Sequence, residues 1–245
     1  MTTPPPFKAA ILMNAVPAES TPLLDDAFKT TFATCITQAS PDAQVDSFDP
    51  IEAQVYPEAG EYDLIVLSGG TADAMAKDIT WILKLQDFLR TTVERCPSQK
   101  IVGICWGHQT INIAFGGTVG DSDHAEIGVY PVTLTPNGQT FFTTSLPSET
   151  HYNIHQFHER EVKTRGKGFI ALAENNQCFV NAANTILTLQ GHPEMSVELS
   201  KMLLEDVPKY LDVEEVERKA LEDRVEREHD GMAIWKRIVR WTGEV

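Results

Sequence analysis

Residues 101–110 read IVGICWGHQT, and this stretch decides the fold. A run of branched apolar residues, typical of a buried strand, is interrupted between Gly103 and Gly107, and a short helical pattern follows over 106–115. Cys105 therefore lies between two glycines where a strand gives way to a helix. Two interpretations are open at this point: a small buried side chain at a tight turn, or a nucleophile at the apex of a strand–turn–helix elbow.

The same alternation of apolar strands and amphipathic helices fills the first half of the chain. The predicted strands are 7–14, 44–48, 62–67 and 100–104, and the predicted helices are 22–38, 79–95 and 106–115. Uniformly apolar strands separated by helices indicate a parallel sheet that is covered on both faces. We therefore expect an α/β fold, a doubly wound (flavodoxin-like) and mostly parallel sheet that binds ligands at the carboxyl ends of its strands.

The second half of the chain has a different pattern. Predicted strands at 127–134, 168–173 and 178–189 alternate with polar turns, which indicates an antiparallel portion added to the same sheet. From about 213 to 241 the chain is charge-rich and has helical spacing. Its predicted apolar stripe is Val213, Val216, Ala220, Val225, Ile234, Ile238 and Trp241. We predict one domain over 7–205, with a C-terminal helical extension, 206–245, packed on it.

Composition and charge exclude several classes of protein. Of the 245 residues, 42% are hydrophobic and 22% are charged, as in an ordinary globular protein. The net charge of −15 disfavours nucleic acid and anionic membranes as partners. The four cysteines have no paired spacing, so neither a disulfide framework nor a zinc site is expected. With no secretory pattern at the N-terminus, the predicted location is the reducing cytoplasm.

A nucleophilic cysteine needs a general base, and the base needs an orienting group. Residues 190–194, QGHPE, follow the apolar strand pattern NTILTLQ, so His192 is predicted at the same carboxyl edge as Cys105. Glu194 lies two residues further on, and Pro193 stiffens the turn between them. This spacing suits a carboxylate that orients an imidazole, with His192 as the base for Cys105.

Two backbone N–H groups at the same edge are candidates for binding an oxyanion. At an elbow, the first helical N–H, that of Trp106, faces the negative charge that forms when Cys105 attacks a carbonyl. Gly69 and Gly70 follow another buried strand in the pattern LSGGT, and adjacent glycines let the backbone approach a ligand closely. We therefore expect the Gly70 N–H to be the second donor.

Taken together, GICWGHQ, LSGG and QGHPE resemble the three signatures of class I glutamine amidotransferase domains, which use a Cys-His-Glu triad. The resemblance extends from residue 7 to about residue 200. It implies that Cys105 is the nucleophile, His192 the base and Glu194 its orienting carboxylate. It also implies that Gln109 lies beside a bound γ-glutamyl group and that the loop from Gly69 to Thr71 borders the substrate. Neither a cofactor nor a metal is implied.

The resemblance implies cleavage of a γ-glutamyl amide bond through a thioester on Cys105, and it leaves three hypotheses open. The first is a standalone hydrolase of glutamine or of a γ-glutamyl peptide or conjugate, similar to the plant γ-glutamyl peptidases. The second is a glutaminase subunit that supplies ammonia to a separate synthetase. The third is a catalytically silent interaction module. The expected partners are therefore a small γ-glutamyl substrate and either a synthetase or a second copy of the chain.

The segment 151–162, HYNIHQFHEREV, is rich in histidine. On a helix, His151, His155 and His158 would align as three metal ligands, but no further ligand completes a known metal pattern. The end of the segment instead resembles the family's loop of form His-x-Asp-x-Val, which lies over the active site. This resemblance predicts that His158 faces the substrate and that the segment holds no metal.

Overall fold

The structure is a computed structural model that describes residues 5–15, 22–206 and 214–244. Within these ranges it contains nine strands, seven α-helices and a 3₁₀ turn at Glu174–Asn176. The elements are, in chain order, β1 (Lys8–Leu12), α1 (Pro22–Ala39), β2 (Gln44–Phe48), β3 (Leu64–Leu67), α2 (Thr80–Arg95), β4 (Lys100–Ile104), α3 (Trp106–Ala114), β5 (Thr118–Thr133), α4 (Pro136–Phe142), β6 (His151–Thr164), β7 (Phe169–Ala171), β8 (Cys178–Asn181), β9 (Ile186–Leu189), α5 (Val197–Asp206), α6 (Glu215–Val225) and α7 (Gly231–Thr242).

The main sheet has seven strands in the order β2-β1-β3-β4-β9-β8-β7. The first five of these pair in parallel, and β8 and β7 extend the sheet with antiparallel pairing. The predicted α/β fold is confirmed. The added antiparallel portion has two parts, however, because β5 and β6 form a separate two-stranded ribbon and do not join the main sheet.

The central strands are buried on both faces, as their uniformly apolar sequences predict. Alternate residues point to opposite faces, so Val66 of β3 lies in one apolar cluster while Ile65 and Leu67 lie in the other. Helices α2 and α3 cover the second of these faces. Helices α1 and α7 cover the first, where Phe32 meets Trp235 edge to face with ring centroids 6.2 Å apart. The doubly wound arrangement therefore follows from strands that have no polar face.

The C-terminal segment is a pair of helices, and the predicted single stripe holds for only part of it. Ile234, Ile238 and Trp241 of α7 are fully buried in the main core. On α6, however, Val216 is 82% exposed, Ala220 is exposed, and Leu221 is buried with Val225 instead. The stripe fails because α6 and α7 are separate helices, each with its own orientation. Val213 lies outside the described residues.

Tight packing at Gly107 sets helix α3 directly on the sheet. A Cβ atom at this position would lie 2.5 Å from the carbonyl oxygen of Leu67, at the end of β3. Gly103 is equally constrained, because a Cβ there would lie 2.6 Å from the carbonyl oxygen of Gly107. The two glycines of the elbow are thus required by the contact between α3, β3 and β4.

Replacing Gly107 by alanine should destabilise the protein by about 1–3 kcal/mol, because the added methyl group overlaps the Leu67 backbone, which cannot move aside. Urea unfolding followed by circular dichroism measures this loss. The matched control is Gly243→Ala after α7, where a Cβ would meet only Arg240 O at 3.6 Å and φ is −85°. Equal stability of the two variants would contradict the packing argument.

Candidate active site

Cys105 connects the end of β4 to the start of α3 in a strained backbone conformation. Its φ of 52° and ψ of −106° lie in a region that a residue with a side chain rarely adopts. The conformation is held from both sides, since the Cys105 N–H donates to Leu189 O at 2.8 Å and the Gln109 N–H donates to Cys105 O at 3.0 Å. The sequence-based prediction of a sharp strand–turn–helix elbow with cysteine at its apex therefore matches the backbone.

His192 and Glu194 form a buried pair beside this elbow. The His192 Nδ1 atom lies 2.7 Å from Glu194 Oε1, and both side chains are almost completely buried. A carboxylate only accepts hydrogen bonds, so Nδ1 carries the proton and donates it. The other ring nitrogen, Nε2, has no hydrogen-bond partner among the described residues. The pair thus presents Nε2 as the nitrogen available to a neighbouring thiol.

The charges around His192 hold a proton on its ring. Burial disfavours the imidazolium, but the negative charges of Cys105 and Glu194 and hydrogen bonding to both outweigh it and raise the pKa of His192 to about 10. A positive charge therefore lies beside the Cys105 sulfur at neutral pH. Such a charge is the condition under which a thiolate is stabilised and a proton is at hand for a leaving group.

The loop that follows β3 lies against the same site. A Cβ added to Gly69 would lie 3.2 Å from His192 Cε1 and 3.8 Å from the Cys105 Cβ, so this glycine directly faces the pair. The next residue, Gly70, is pressed against Asn14, where a Cβ would lie 2.5 Å from the backbone oxygen. Asn14 fixes the loop from below, because its N–H donates to the Ser68 Oγ at 2.8 Å.

The N–H groups of Gly70 and Trp106 donate to no other described residue. Both belong to segments that begin at the carboxyl ends of neighbouring parallel strands, β3 and β4. Two unused donors beside a cysteine form an arrangement that can bind a negatively charged oxygen. The exposed Thr71 comes next in the loop, and its predicted contact with substrate stays a prediction.

Gln109 lies one helical turn after Cys105, and its side-chain amide is already engaged. Its Nε2 atom donates to Arg160 O at 2.8 Å and to Gln190 Oε1 at 3.2 Å. Gln190 in turn places its own Nε2 atom 3.8 Å from the Cys105 sulfur. The predicted contact of Gln109 with substrate stays a prediction, and the structure adds that Gln109 ties α3 to β6 and to the end of β9.

His158 lies on β6, which is a strand and not a helix. Alternation along a strand places His158 on the face opposite to His151 and His155, so the three do not align. The His158 Nε2 atom is 2.9 Å from Glu126 Oε2 on β5, and its side chain is 3% exposed. Its predicted role towards substrate stays a prediction. Among the described residues, no group of three potential metal ligands is clustered.

Further residues around the site have no local sequence signal. Asn14 and Gln190 follow buried strands, so the rule that ligands bind at carboxyl ends of strands points to them in retrospect. Asp73 and Arg160 form an ion pair between the loop after Gly70 and β6. Nothing in the sequence around either residue indicates this pair, because it joins segments 87 residues apart.

We expect iodoacetamide to alkylate Cys105 about tenfold faster, or more, than it alkylates Cys35, Cys96 or Cys178 at neutral pH. Burial raises the pKa of Cys35 to about 12 and raises that of Cys178 still further, so both are poor nucleophiles. Peptide mapping by mass spectrometry gives the rate for each cysteine.

His192→Ala removes the positive charge beside Cys105 and should slow only its alkylation. The half-buried Cys96 is the internal control, because its rate should not change in this variant. Equal rates at all four cysteines of the native protein, or an unchanged Cys105 rate in His192→Ala, would rule out activation by the pair.

Comparison with known proteins agrees with this geometry. A model of the glutamine amidotransferase class-I family matches residues 24–207. The chain is 37% identical to the glutamine amidotransferase-like protein chyE of Penicillium rubens, over 97% of this chain and 98% of that protein. It is 26% identical to gamma-glutamyl peptidase 3 of Arabidopsis thaliana, over 80% and 81% of the two chains. A glutamine amidotransferase structure from Thermotoga maritima has the same fold, with a TM-score of 0.71 at 20% identity over 96% and 98% of the chains. The protein therefore belongs to the class-I glutamine amidotransferase family.

Proposed function

We propose that this protein hydrolyses a γ-glutamyl amide bond through a thioester on Cys105, acting without a synthetase subunit. The single observation that carries the proposal is the cysteine held at a strained elbow beside the buried His192–Glu194 pair. Backbone strain of this kind is maintained at functional sites, and a structural cysteine has no need of it. The same observation argues against a catalytically silent module.

In the first half of the reaction, the Cys105 thiolate attacks the γ-carbonyl carbon and the carbonyl oxygen becomes an oxyanion. The N–H groups of Gly70 and Trp106 are the proposed donors to this oxyanion, since neither has another partner among the described residues. As the tetrahedral intermediate collapses, the carbon–nitrogen bond breaks and His192 gives its proton to the leaving amine. The product is a γ-glutamyl thioester and a neutral His192.

In the second half, His192 accepts a proton from a water molecule, which attacks the thioester carbonyl. The carbon–sulfur bond then breaks, so that glutamate leaves and Cys105 returns as a thiolate beside a protonated His192. Glu194 keeps the imidazole in one orientation and stabilises its charged form through the 2.7 Å hydrogen bond. No proton or electron is left over, and no cofactor is needed.

The similarity to a γ-glutamyl peptidase supports a γ-glutamyl peptide or conjugate as substrate, next to glutamine itself. All four cysteines are free thiols, as expected in the reducing cytoplasm that we propose as the location. In neither the structure nor the comparisons does an observation favour the alternative of a glutaminase subunit that passes ammonia to a synthetase, so the assay below discriminates between them.

Purified protein should release glutamate from a γ-glutamyl dipeptide or from glutamine, and Cys105→Ala should lower this rate by at least about 10⁴-fold. The reason is that the thioester cannot form without the sulfur. Free glutamate, ammonia and the released amino acid are quantified by chromatography, and acid quenching traps the γ-glutamyl adduct on Cys105 for mass spectrometry.

Rapid hydrolysis of glutamine without any cleavage of dipeptides would overturn the peptidase form of the proposal in favour of a glutaminase. Release of glutamate from neither substrate class, with the protein folded and Cys105 reduced, would overturn the proposal as a whole. Gly243→Ala serves as a variant that should keep full activity, because Gly243 follows the last helical turn and has open space around it.

A further inference from the structure

The ion pair between Asp73 and Arg160 joins the two segments that border the elbow. Asp73 lies three residues after Gly70, in the loop that follows β3, and Arg160 lies on β6. The Arg160 Nη1 atom donates to Asp73 Oδ1. The side chains are 34% and 53% exposed, so both charges are accessible to a small molecule.

Each of the two segments is tied to the first helical turn after Cys105. On one side, the Trp106 Nε1 atom donates to Ala72 O at 2.7 Å, next to Asp73. On the other side, the Gln109 Nε2 atom donates to Arg160 O at 2.8 Å. These bonds fix the backbone on both sides of the ion pair relative to Cys105, so the pair holds a defined position beside the nucleophile.

Both members of the pair keep unused hydrogen-bonding capacity. The Arg160 edge formed by Nε and Nη2 makes no hydrogen bond to a described residue, although Nε is buried and Asp121 Oδ1 lies 3.8 Å from it. This edge is the fork that binds a carboxylate through two parallel hydrogen bonds. On Asp73, Oδ1 accepts from Arg160 and from the Met75 N–H at 3.0 Å, whereas Oδ2 has no such partner among the described residues.

Both groups are charged at neutral pH. The N–H of Met75 and the guanidinium of Arg160 lower the pKa of Asp73 below its usual value, against a partial desolvation that raises it. A guanidinium is protonated at every physiological pH. The site therefore presents one fixed positive and one fixed negative charge, side by side, next to the cysteine.

We infer that Arg160 and Asp73 together recognise the α-amino-acid end of the γ-glutamyl group, with the α-carboxylate on the Nε–Nη2 edge of Arg160 and the α-ammonium on Asp73 Oδ2. This inference rests on the proposed function and names its specificity determinant. The γ-carbonyl at Cys105 and the α-carbon at the ion pair are the two ends of one short chain. The pair selects amides that carry a free α-amino acid and rejects simple primary amides.

Three amides test the two contacts separately. Glutamine carries both charges, glutaramate lacks the α-ammonium, and 4-aminobutanamide lacks the α-carboxylate. Ammonia release is measured for each amide with the native protein, Arg160→Gln and Asp73→Asn. We expect Arg160→Gln to lower kcat/KM about tenfold or more for glutamine and glutaramate, through KM, and to leave 4-aminobutanamide within about twofold. Asp73→Asn should do the same for glutamine and 4-aminobutanamide and leave glutaramate unchanged.

The crossed pattern separates recognition from a structural role. If the ion pair only holds the loop to β6, both variants lower the rates for all three amides alike, and the inference is overturned. Arg160→Lys keeps the charge but loses the fork, so it should recover only part of the loss on glutamine. Asp121→Asn is the matched control, since Asp121 is 92% exposed and its loss should change none of the three rates.

A second readout keeps this test independent of turnover. Glutamine should protect Cys105 from iodoacetamide at lower concentration than either analogue does, and Arg160→Gln should abolish its advantage over 4-aminobutanamide. If the native protein hydrolyses nothing but shows this order of protection, the proposed reaction fails and the recognition site stands. If the three amides protect equally, the recognition site fails even where the native protein is active.

Discussion

The close contact between α3 and the end of β3 is the constraint on which the site depends. Because Gly107 lies directly on the Leu67 carbonyl, the helix starts without a connecting loop. Cys105 must therefore make the whole change of direction alone, at a positive φ. Strain of this kind costs about 1–3 kcal/mol, and the burial of Ile111 and Trp106 on the sheet offsets it. The energy of the core thus holds one side chain where it is exposed to chemistry.

The order of the strands explains why the other parts of the site meet this cysteine. Strands β3, β4 and β9 are adjacent and parallel, so their carboxyl ends form one edge. The first continues into Gly70, the second into Cys105 and the third into His192. Residues far apart in the chain are brought together by register alone, and each loop needs only a few residues to complete the site.

The parts of the molecule that the sequence predicts are those in which short-range pattern and structure agree. Strand β4 and the elbow have their signals within ten residues, and so does the His192 turn. Strand β6 escapes prediction because its pairing with β5 lets polar residues such as His158 and Glu126 satisfy each other while buried, which breaks the apolar alternation. The Asp73–Arg160 pair escapes for a different reason, since only the tertiary fold brings its two segments together.

The buried carboxylate of Glu194 shows why a hydrolase of this size has elements behind the site. Removing a charge from water is costly unless partners compensate, and the turn that carries Glu194 is itself held in place. Thr31 of α1 donates to the Glu194 backbone oxygen at 2.7 Å. The start of α7 supports the neighbouring strand, since Asp230 Oδ2 accepts from the Asn153 N–H of β6 at 2.7 Å. Strand β6 continues this support to the catalytic turn, where His155 O accepts from the His192 N–H at 2.8 Å. The C-terminal helix is thus coupled to the orientation of the imidazole through two hydrogen bonds and one strand.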